Sequence, residues 1–343
     1  FDASRAKKTK FKQVASKWLE SYAATGVKRG SVRIREKEVK ILNKHMGDVP
    51  IANISYSYYQ DFIDEISKKY ARTTVQGINI AAGMIFRYAM KDQLIKQSPN
   101  FDVNIPKKRK TVEEIESNPT EQKYLDTEEL NEFLDAVLKH GLDLDIERFH
   151  LLAFTGMRSG ELCALKWSDI NFNEKTIRIT KTLYNENNNM KEYVLETPKT
   201  EGSIRVIDVE DEIINLLKSH RKRQLRVLES YRNEFKDYHD GNFVFCRANG
   251  YPFIQKNIGT RMMRLLPYTS ITKKATPHIF RHTHISLLTE SGVDLPTIME
   301  RVGHDDPQTT LEIYTHVTKK MKKDASDKVR FTFGDMLKKI NFK

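Results

Sequence analysis

The chain of 343 residues is 39% hydrophobic and 30% charged, a composition that predicts a soluble protein of about two domains. No window approaches the roughly 18 consecutive apolar residues of a membrane span, and the first residues lack the apolar core of a signal peptide. Cys163 and Cys246 lie far apart without metal-ligand spacing, which predicts two reduced thiols in a cytoplasmic protein.

The positive charge is concentrated in the N-terminal third. The net charge is +12 and the pI is near 9.4. Residues 1–110 hold 23 Lys and Arg against 10 Asp and Glu, whereas the remaining residues hold 35 against 36. A basic surface can serve solubility alone, but so one-sided a distribution favours nucleic acid as the partner.

Residues 11–100 are predicted to form a compact bundle of four amphipathic helices. The first helix carries an apolar stripe at spacings of three and four, made of Phe11, Val14, Trp18 and Tyr22. Ser31 is predicted to cap the second helix, and Gly47 is predicted to end it.

The third and fourth helices would complete this bundle. Apolar residues of the third recur at every fourth position, as Ile54, Tyr58, Phe62, Ile66 and Tyr70. Thr73 or Thr74 is predicted to cap the fourth, which stops before Pro99. The candidate DNA contacts among the basic residues of the bundle are Lys28, Arg29, Arg33, Arg35 and Arg72.

Residues 107–122, "KKRKTVEEIESNPTEQ", have no apolar periodicity and are predicted to be a linker. Their basic start, with Lys107, Lys108 and Arg109, could contact a phosphate backbone or could simply be solvated. The sequence leaves both interpretations open.

From Leu125 the pattern becomes mixed α/β. "DTEELNEFLDAVLKH" predicts a helix capped by Asp126 or Thr127, and "RFHLLAFTGMRSGELCALKW" predicts a second helix interrupted near Gly156. "KTIRITKTLY" and "GSIRVIDV" alternate apolar and polar residues as half-buried strands do, with a further short strand predicted between them. Since the final third returns to helices, the predicted fold class is α+β and mainly helical.

Several polar residues at predicted helix starts and turns could converge on one pocket. In "TPHIFRHTH", Thr276 would cap a helix and Pro277 would take its first position, which puts His278 and Arg281 one turn apart on one face. Both could hydrogen-bond a phosphate at the helix N-terminus, although either residue alone is more often structural.

Three further candidates are unremarkable when they are taken singly. Arg158 lies at a glycine-flanked break with Glu161 three residues on, and such a pair is usually structural. Lys199 lies at a predicted strand turn, where a lysine is normally solvated. Tyr314 is spaced three residues from Leu311, as a helix-packing residue would be.

Taken together in this order, these residues resemble the tyrosine recombinases, which include lambda-type phage integrases and the integrases of conjugative transposons. The resemblance is carried by "TGMRSGEL", a lysine on a β-turn, "HIFRH", the "GH" at His304 and a tyrosine ten residues later. It covers the C-terminal two-thirds of the chain and extends to the basic helical module. "RVGH" departs slightly from the family's more usual leucine before the glycine.

The resemblance implies a four-helix core-DNA-binding (SAM-like) domain over residues 1–106 and a mixed α/β catalytic domain over residues 123–343. The two domains would form a C-shaped clamp on DNA. An arm-binding N-terminal domain, common in the family, is expected to be missing from a chain that begins at Phe1.

The resemblance also assigns a phosphate-binding role to several side chains. Arg158 and Arg281 would clamp the non-bridging oxygens of the scissile phosphate, since planar guanidinium groups suit that geometry. His304 would donate a further hydrogen bond to the phosphate, and Glu161 would support Arg158.

Tyr314 would be the nucleophile and would form a 3′-phosphotyrosyl link. A free phenol has a pKa of about 10, so the site must supply positive charge and a route for protons. His278 would assist proton transfer at the tyrosine, and Lys199 would protonate the departing 5′ oxygen as general acid. The implied function is site-specific recombination that integrates and excises a mobile element through a Holliday junction.

This chemistry needs neither a cofactor nor ATP, because the covalent intermediate preserves the phosphodiester bond energy. No carboxylate cluster of the kind that holds Mg²⁺ is evident in the sequence. A weaker hypothesis is a metal site among the histidines His278, His282, His284, His304 and His316.

The expected partner is double-stranded DNA at the element ends and target, with the protein associated with the bacterial nucleoid when bound. The tail over about residues 317–343 has an apolar set, Phe331, Phe333, Met336, Leu337 and Ile340. As in the family, it could dock on a neighbouring protomer to build a dimer or tetramer, or it could pack on its own domain. An excisionase accessory protein is a further possible partner.

Two alternative functions stay open at this point. A type IB topoisomerase would use related chemistry to nick and reseal DNA alone, without a recombination site. A catalytically idle DNA-binding regulator would share the basic module and would form no covalent adduct.

Overall fold

A computed structural model describes residues 3–107, 120–198, 201–232, 234, 236–303 and 307–337 of the chain. The chain divides into two compact units, within residues 1–113 and 114–343. Each unit is built around its own cluster of buried apolar residues. None of the described helices is both long and apolar enough to cross a membrane.

The described secondary structure of the first unit consists of helices and one isolated β-bridge, between Lys10 and Pro50. Its α-helices are α1 (Ala3–Lys8), α2 (Phe11–Ala24), α3 (Arg29–Met46), α4 (Tyr56–Lys69) and α5 (Arg72–Lys91). The four predicted helices are α2 to α5, so the helical N-terminal domain is confirmed. The short helix α1 was not predicted, although its Ala6 is completely buried in the same core.

The apolar stripe of α2 packs as predicted, and that of α4 does not. Phe11, Val14 and Trp18 are buried, and Tyr22 stacks on Trp18 with ring centroids 5.3 Å apart. In α4 the predicted residues Tyr58 and Tyr70 are exposed, and the buried set is Tyr59, Phe62, Ile63 and Ile66. A strict four-residue repeat drifts around a helix with 3.6 residues per turn, so it leaves the buried face at both ends.

Two predicted helix starts are also wrong. Helix α3 begins at Arg29 rather than after Ser31, and α5 begins at Arg72 rather than after Thr73 or Thr74. Neither helix has a side-chain cap at its first turn. Adding a residue to an existing helix costs less free energy than nucleating a new turn, so each helix can begin before the predicted cap. The predicted end of α3 at Gly47 is confirmed.

The second unit combines helices with two small antiparallel sheets. Its helices are α6 (Thr127–His140), α7 (Asp145–Thr155), α8 (Ser159–Ala164), α9 (Asp211–Tyr231), α10 (Gln255–Leu265), α11 (Ile279–Glu290), α12 (Leu295–Val302) and α13 (Pro307–Leu337). Its strands are β1 (Ile170–Asn171), β2 (Thr176–Ile179), β3 (Thr182–Asn185), β4 (Tyr193–Glu196) and β5 (Arg205–Asp208). The predicted class, α+β and mainly helical, is confirmed.

The predicted strand "KTIRITKTLY" is two strands that belong to different sheets. Strand β2 is central in the sheet β1-β2-β5, where Ile177 pairs with Ile207. Strand β3 pairs with β4 in a separate hairpin. In β5 the buried side chains are Arg205 and Ile207, whereas Val206 is exposed, so an arginine occupies the core-facing side of this strand.

Two of three predicted helix boundaries in this unit are confirmed. Asp126 caps α6 by accepting a hydrogen bond from the Glu129 amide at 2.8 Å. The interruption at Gly156 separates α7 from α8, with φ of +62°. The predicted cap at Thr276 is wrong, because a turn closed by the Ile279 amide and the Thr276 carbonyl precedes α11, and His278 takes the cap position.

Candidate active site

The C-terminal end of α12 is surrounded by arginines. The helix ends at Gly303, whose backbone is left-handed with φ of +64°. The last carbonyls of a helix lack partners within it and carry the negative end of its dipole, so they attract cationic donors. The Arg301 carbonyl accepts from Arg205, and the Val302 carbonyl accepts from Arg281. The Gly303 carbonyl accepts from Arg158 at 3.2 Å and from Arg281 at 3.4 Å.

Arg281 is completely buried and joins α11 to the break between α7 and α8. Its Nη1 donates to the Gly156 carbonyl at 2.8 Å. Burial, followed by the nearby positive charges of Arg158 and Arg205, lowers the pKa of Arg281 well below its usual range. The Arg281 guanidinium therefore lies close to other positive charges, and such a group of charges favours binding of an anion.

Arg158 and Glu161 form the predicted pair at the start of α8. Arg158 Nη1 donates to Glu161 Oε1 at 2.8 Å, and the Arg158 amide donates to Oε2 at 2.9 Å. About a third of the Arg158 side chain (35%) is exposed, so part of its fork is open to a ligand. Burial acts to raise the pKa of Glu161, but Arg205 and then Arg158 outweigh it, and the net pKa is lowered.

Arg205 also belongs to this arginine cluster, although the sequence did not predict it. Its Nη2 donates to Glu161 Oε2 at 2.9 Å, and only 4% of the side chain is exposed. The signal lay in the strand pattern, since Arg205 falls on the same face as Ile207. A buried arginine needs an acidic or carbonyl partner, so that position predicts a polar network.

His278 lies against His282 at the start of α11, with ring centroids 4.8 Å apart and ring planes nearly perpendicular. Burial, followed by His282, Arg281 and Arg158, lowers the pKa of His278. The neutral imidazole is favoured, which leaves a ring nitrogen able to accept a proton.

Tyr314 lies on α13, which packs against α11 and α12. The half-buried Tyr314 ring contacts an apolar cluster made of Tyr124, Ile285, Ile298, Val302, Ile313 and Val317. The start of α13 is also tied to the segment before α6, where Lys123 Nζ lies 2.6 Å from Glu312 Oε1 and the Tyr124 hydroxyl lies 3.1 Å from His316 Nδ1. Tyr314 therefore packs against an apolar cluster that includes Val302, the residue whose carbonyl accepts from Arg281.

Lys199 and His304 lie outside the described residues, as do Lys108 and Arg109. Within the described ranges there is no group of three or more His, Cys, Asp or Glu residues arranged to hold a metal ion. Three of the described histidines of the metal hypothesis have protein partners instead. His282 Nδ1 lies 3.0 Å from the Lys123 carbonyl. His284 lies 3.0 Å from the Ala153 carbonyl and accepts from Arg301 at 3.1 Å, and His316 is the partner of Tyr124.

The candidate DNA-contacting residues of the first unit differ in their exposure to solvent. Arg72 and Lys107 are exposed and line a groove of about 790 Å³ together with Lys68, Lys69 and Tyr70. Arg29 is exposed, whereas Lys28 and Arg33 are half-buried. Arg35 does not fit the prediction, because it is mostly buried and pairs with Glu38 at 2.5 Å inside the bundle.

Comparison with known proteins identifies the family. The phage integrase family matches residues 123–321, and the phage integrase central domain matches residues 11–105. The integrase of Staphylococcus phage L54a is 33% identical over 340 residues, which cover 95% of this chain and 94% of its own. The ICEBs1 integrase of Bacillus subtilis (strain 168) is 28% identical over 84% of this chain and 75% of its own.

Solved structures share the fold at low sequence identity. A Tn1549 transposon integrase in complex with transposon right end DNA has a TM-score of 0.72 at 22% identity, over 93% of this chain and 99% of that chain. A lambda integrase tetramer bound to a Holliday junction has a TM-score of 0.64 at 13% identity, over 89% and 77%. The chain belongs to the phage integrase family of tyrosine recombinases, and it is a site-specific recombinase of the kind that integrates mobile elements.

Proposed function

We propose that Tyr314 attacks a phosphodiester of double-stranded DNA and becomes joined to its 3′ phosphate. The bond from phosphorus to the 5′ oxygen breaks as the bond from phosphorus to the phenol oxygen forms. His278 assists removal of the phenol proton, and Lys199 protonates the leaving 5′ oxygen. Attack by a 5′ hydroxyl of another strand reverses these changes, so strands are exchanged without ATP and pass through a Holliday junction.

The observation that carries this proposal is the convergence of Arg158 and Arg281 on the end of α12, where Val302 belongs to the apolar cluster that Tyr314 packs against. Arg158 donates to the Gly303 carbonyl at 3.2 Å, and Arg281 donates to the preceding carbonyl. Two guanidiniums fixed beforehand can stabilise the charge that develops on a phosphate in the transition state. His304 would follow directly on Gly303 and add a further donor.

The test is strand cleavage by the Tyr314→Phe variant. A suicide substrate, nicked near the scissile phosphate so that the 5′ hydroxyl fragment diffuses away, would trap a covalent adduct with the parent protein. The Phe variant keeps the ring that packs against the apolar cluster and should bind DNA normally while forming no adduct. Adduct formation by this variant would show that the nucleophile is wrong.

This test also addresses the two alternatives. A DNA-binding regulator would give no adduct with the parent protein. A topoisomerase-like enzyme would relax supercoiled DNA that lacks a recombination site. Unchanged cleavage in the presence of a chelator would argue against a required metal.

In this proposal residues 1–106 bind the core of the recombination site and residues 123–343 carry out catalysis. The groove around Arg72 and Lys107 supports a phosphate contact by the first domain. Counterion release should make the affinity fall steeply with salt. A location in the bacterial cytoplasm, on the nucleoid, would follow from this substrate.

We further propose that the C-terminal part of α13 mediates assembly of dimers and tetramers on DNA. Support comes from its exposed apolar side chains, since 75% of Phe331 and 57% of Phe333 are accessible. Met336, Leu337 and Ile340 of the predicted apolar set lie outside the described side chains. Replacing Phe331 and Phe333 by Ser should reduce the fraction of tetramers that light scattering detects on junction DNA, and it should leave binding to a single site intact.

Excisionase binding could be tested on the same variant.

A further inference from the structure

Arg205 contacts three separate segments of the second unit. Its Nη2 donates to Glu161 Oε2 at 2.9 Å, its Nε donates to the Arg301 carbonyl at 2.8 Å, and its Nη1 donates to the Ser203 carbonyl at 3.1 Å. These partners belong to α8, to the end of α12 and to the turn before β5. One side chain therefore joins elements that are 44 and 96 residues away in the sequence.

Each of these three segments leads to a residue with a role in the proposed reaction. Glu161 is the carboxylate that holds Arg158. In the sequence, His304 follows directly on Gly303, and Lys199, like Ser203, lies between β4 and β5. None of the three contacts is with the proposed phosphate ligands themselves, so Arg205 would position other residues and would not touch the substrate.

The surroundings of Arg205 leave it little freedom to move. A Cβ atom added at Gly303 would lie 3.1 Å from Arg205 Cδ, so the strand residue and the helix end are already in close approach. The Ser203 hydroxyl also donates to the Gly303 carbonyl, at 3.4 Å. A lysine in place of Arg205 would keep the charge but could not reproduce the planar fork that reaches Glu161 and Arg301 together.

We propose that Arg205 is a positioning residue for strand cleavage, which fixes Glu161, the end of α12 and the turn before β5 relative to one another. This inference rests on the proposed function of the site. Arg205 thereby sets the direction of the Arg158 guanidinium and the position of Gly303, the residue before His304. Loss of these contacts should slow cleavage on the order of 100-fold, the size of effect expected when catalytic groups shift by about 1 Å.

The test compares Arg205→Lys and Arg205→Met with Arg178→Met. Arg178 is the matched control, since it pairs with Val206 on the exposed face of the same sheet. The Arg205 variants should cleave slowly in single turnover with DNA affinity unchanged, and the control should cleave normally. Arg205→Lys retains a positive charge beside Glu161, so it covers the case in which the Met variant fails to fold.

A second substrate separates positioning from a general loss of structure. A methylphosphonate at the scissile position removes the charge of one non-bridging oxygen, so correct placement of Arg158 matters less for it. The cleavage defect of Arg205→Lys should therefore shrink at least several-fold on this neutral substrate. An equal defect on both substrates, or normal cleavage of the phosphodiester, would overturn the role of Arg205.

Failure of the proposed function would give a different result. If the parent protein forms no Tyr314-dependent adduct, the proposed reaction fails and the role of Arg205 in it fails as well. If the parent forms the adduct and both Arg205 variants match it, only the positioning role is wrong.

Discussion

Arg281 Nη1 donates a 2.8 Å hydrogen bond to the Gly156 carbonyl, across 125 residues of sequence. The acceptor lies in the left-handed turn between α7 and α8, immediately before the segment that carries Arg158. The two arginines proposed to bind the phosphate are therefore linked through the backbone at this turn. Any change that moves the turn should affect both.

Gly156→Ala should destabilise the second unit strongly. The position combines φ of +62° with a site where an added Cβ would lie 2.7 Å from His284 Cδ2. The left-handed backbone alone costs about 1–2 kcal/mol for an L-residue, and the steric contact adds to this cost. Gly292→Ala is the control, because it has φ of +83° with open space around its Cβ. If urea unfolding showed equal decreases in the free energy of unfolding for the two variants, the steric contact with His284 would not contribute.

Sulfate or phosphate should raise the melting temperature of the second unit. Arg158 and Arg205 both add to the positive potential at Arg281, and Glu161 is the acidic group that opposes them. An anion bound to the folded site alone stabilises it by mass action. The Arg158→Met variant supplies the baseline for the general effect of sulfate on proteins. A rise in Tm that is no larger for the parent than for this variant would contradict anion binding at Arg158.

Stability should increase with pH in the weakly acidic range because of His284. Burial, followed by Arg301, lowers the pKa of this imidazole to about 3. Between about pH 3 and 6.5 the unfolded chain holds a proton that the folded chain does not, so unfolding is favoured as the pH falls. Each such proton contributes a slope of about 1.4 kcal/mol per pH unit. Free energies of unfolding measured at pH 4.5 to 6 should show a smaller slope for His284→Gln, and an unchanged slope would argue against a neutral His284.

Arg72 and Arg35 should behave differently in DNA binding. Arg72→Ala removes an exposed charge from the groove and should reduce the salt dependence by about one unit in the slope of log K against log salt. Arg35→Ala should leave that slope unchanged, because Arg35 already pairs with Glu38. It should instead lower the stability of the first unit. Equal slopes for the two variants would contradict this division of roles.

Local sequence signals predicted helices α2 to α6, the helix interrupted at Gly156 and the contact between Arg158 and Glu161. These features depend on periodicity, on a backbone angle that glycine allows, or on a spacing of one helical turn. The buried position of Arg205 depends instead on which face of β5 meets the core, and that is decided by pairing with β2. Likewise, Tyr58 and Tyr59 are adjacent in sequence, and only packing determines that Tyr59 is buried.

The separation of β2 and β3 into different sheets has a practical consequence. The three-stranded sheet that positions Arg205 is complete without the β3–β4 hairpin. The hairpin tip near Asn188, which is exposed and has φ of +56°, connects strands outside that sheet. A short epitope or a fluorescent label should therefore be tolerated at the tip, which would give a reporter for following this recombinase on DNA without disturbing the arginines proposed to bind phosphate.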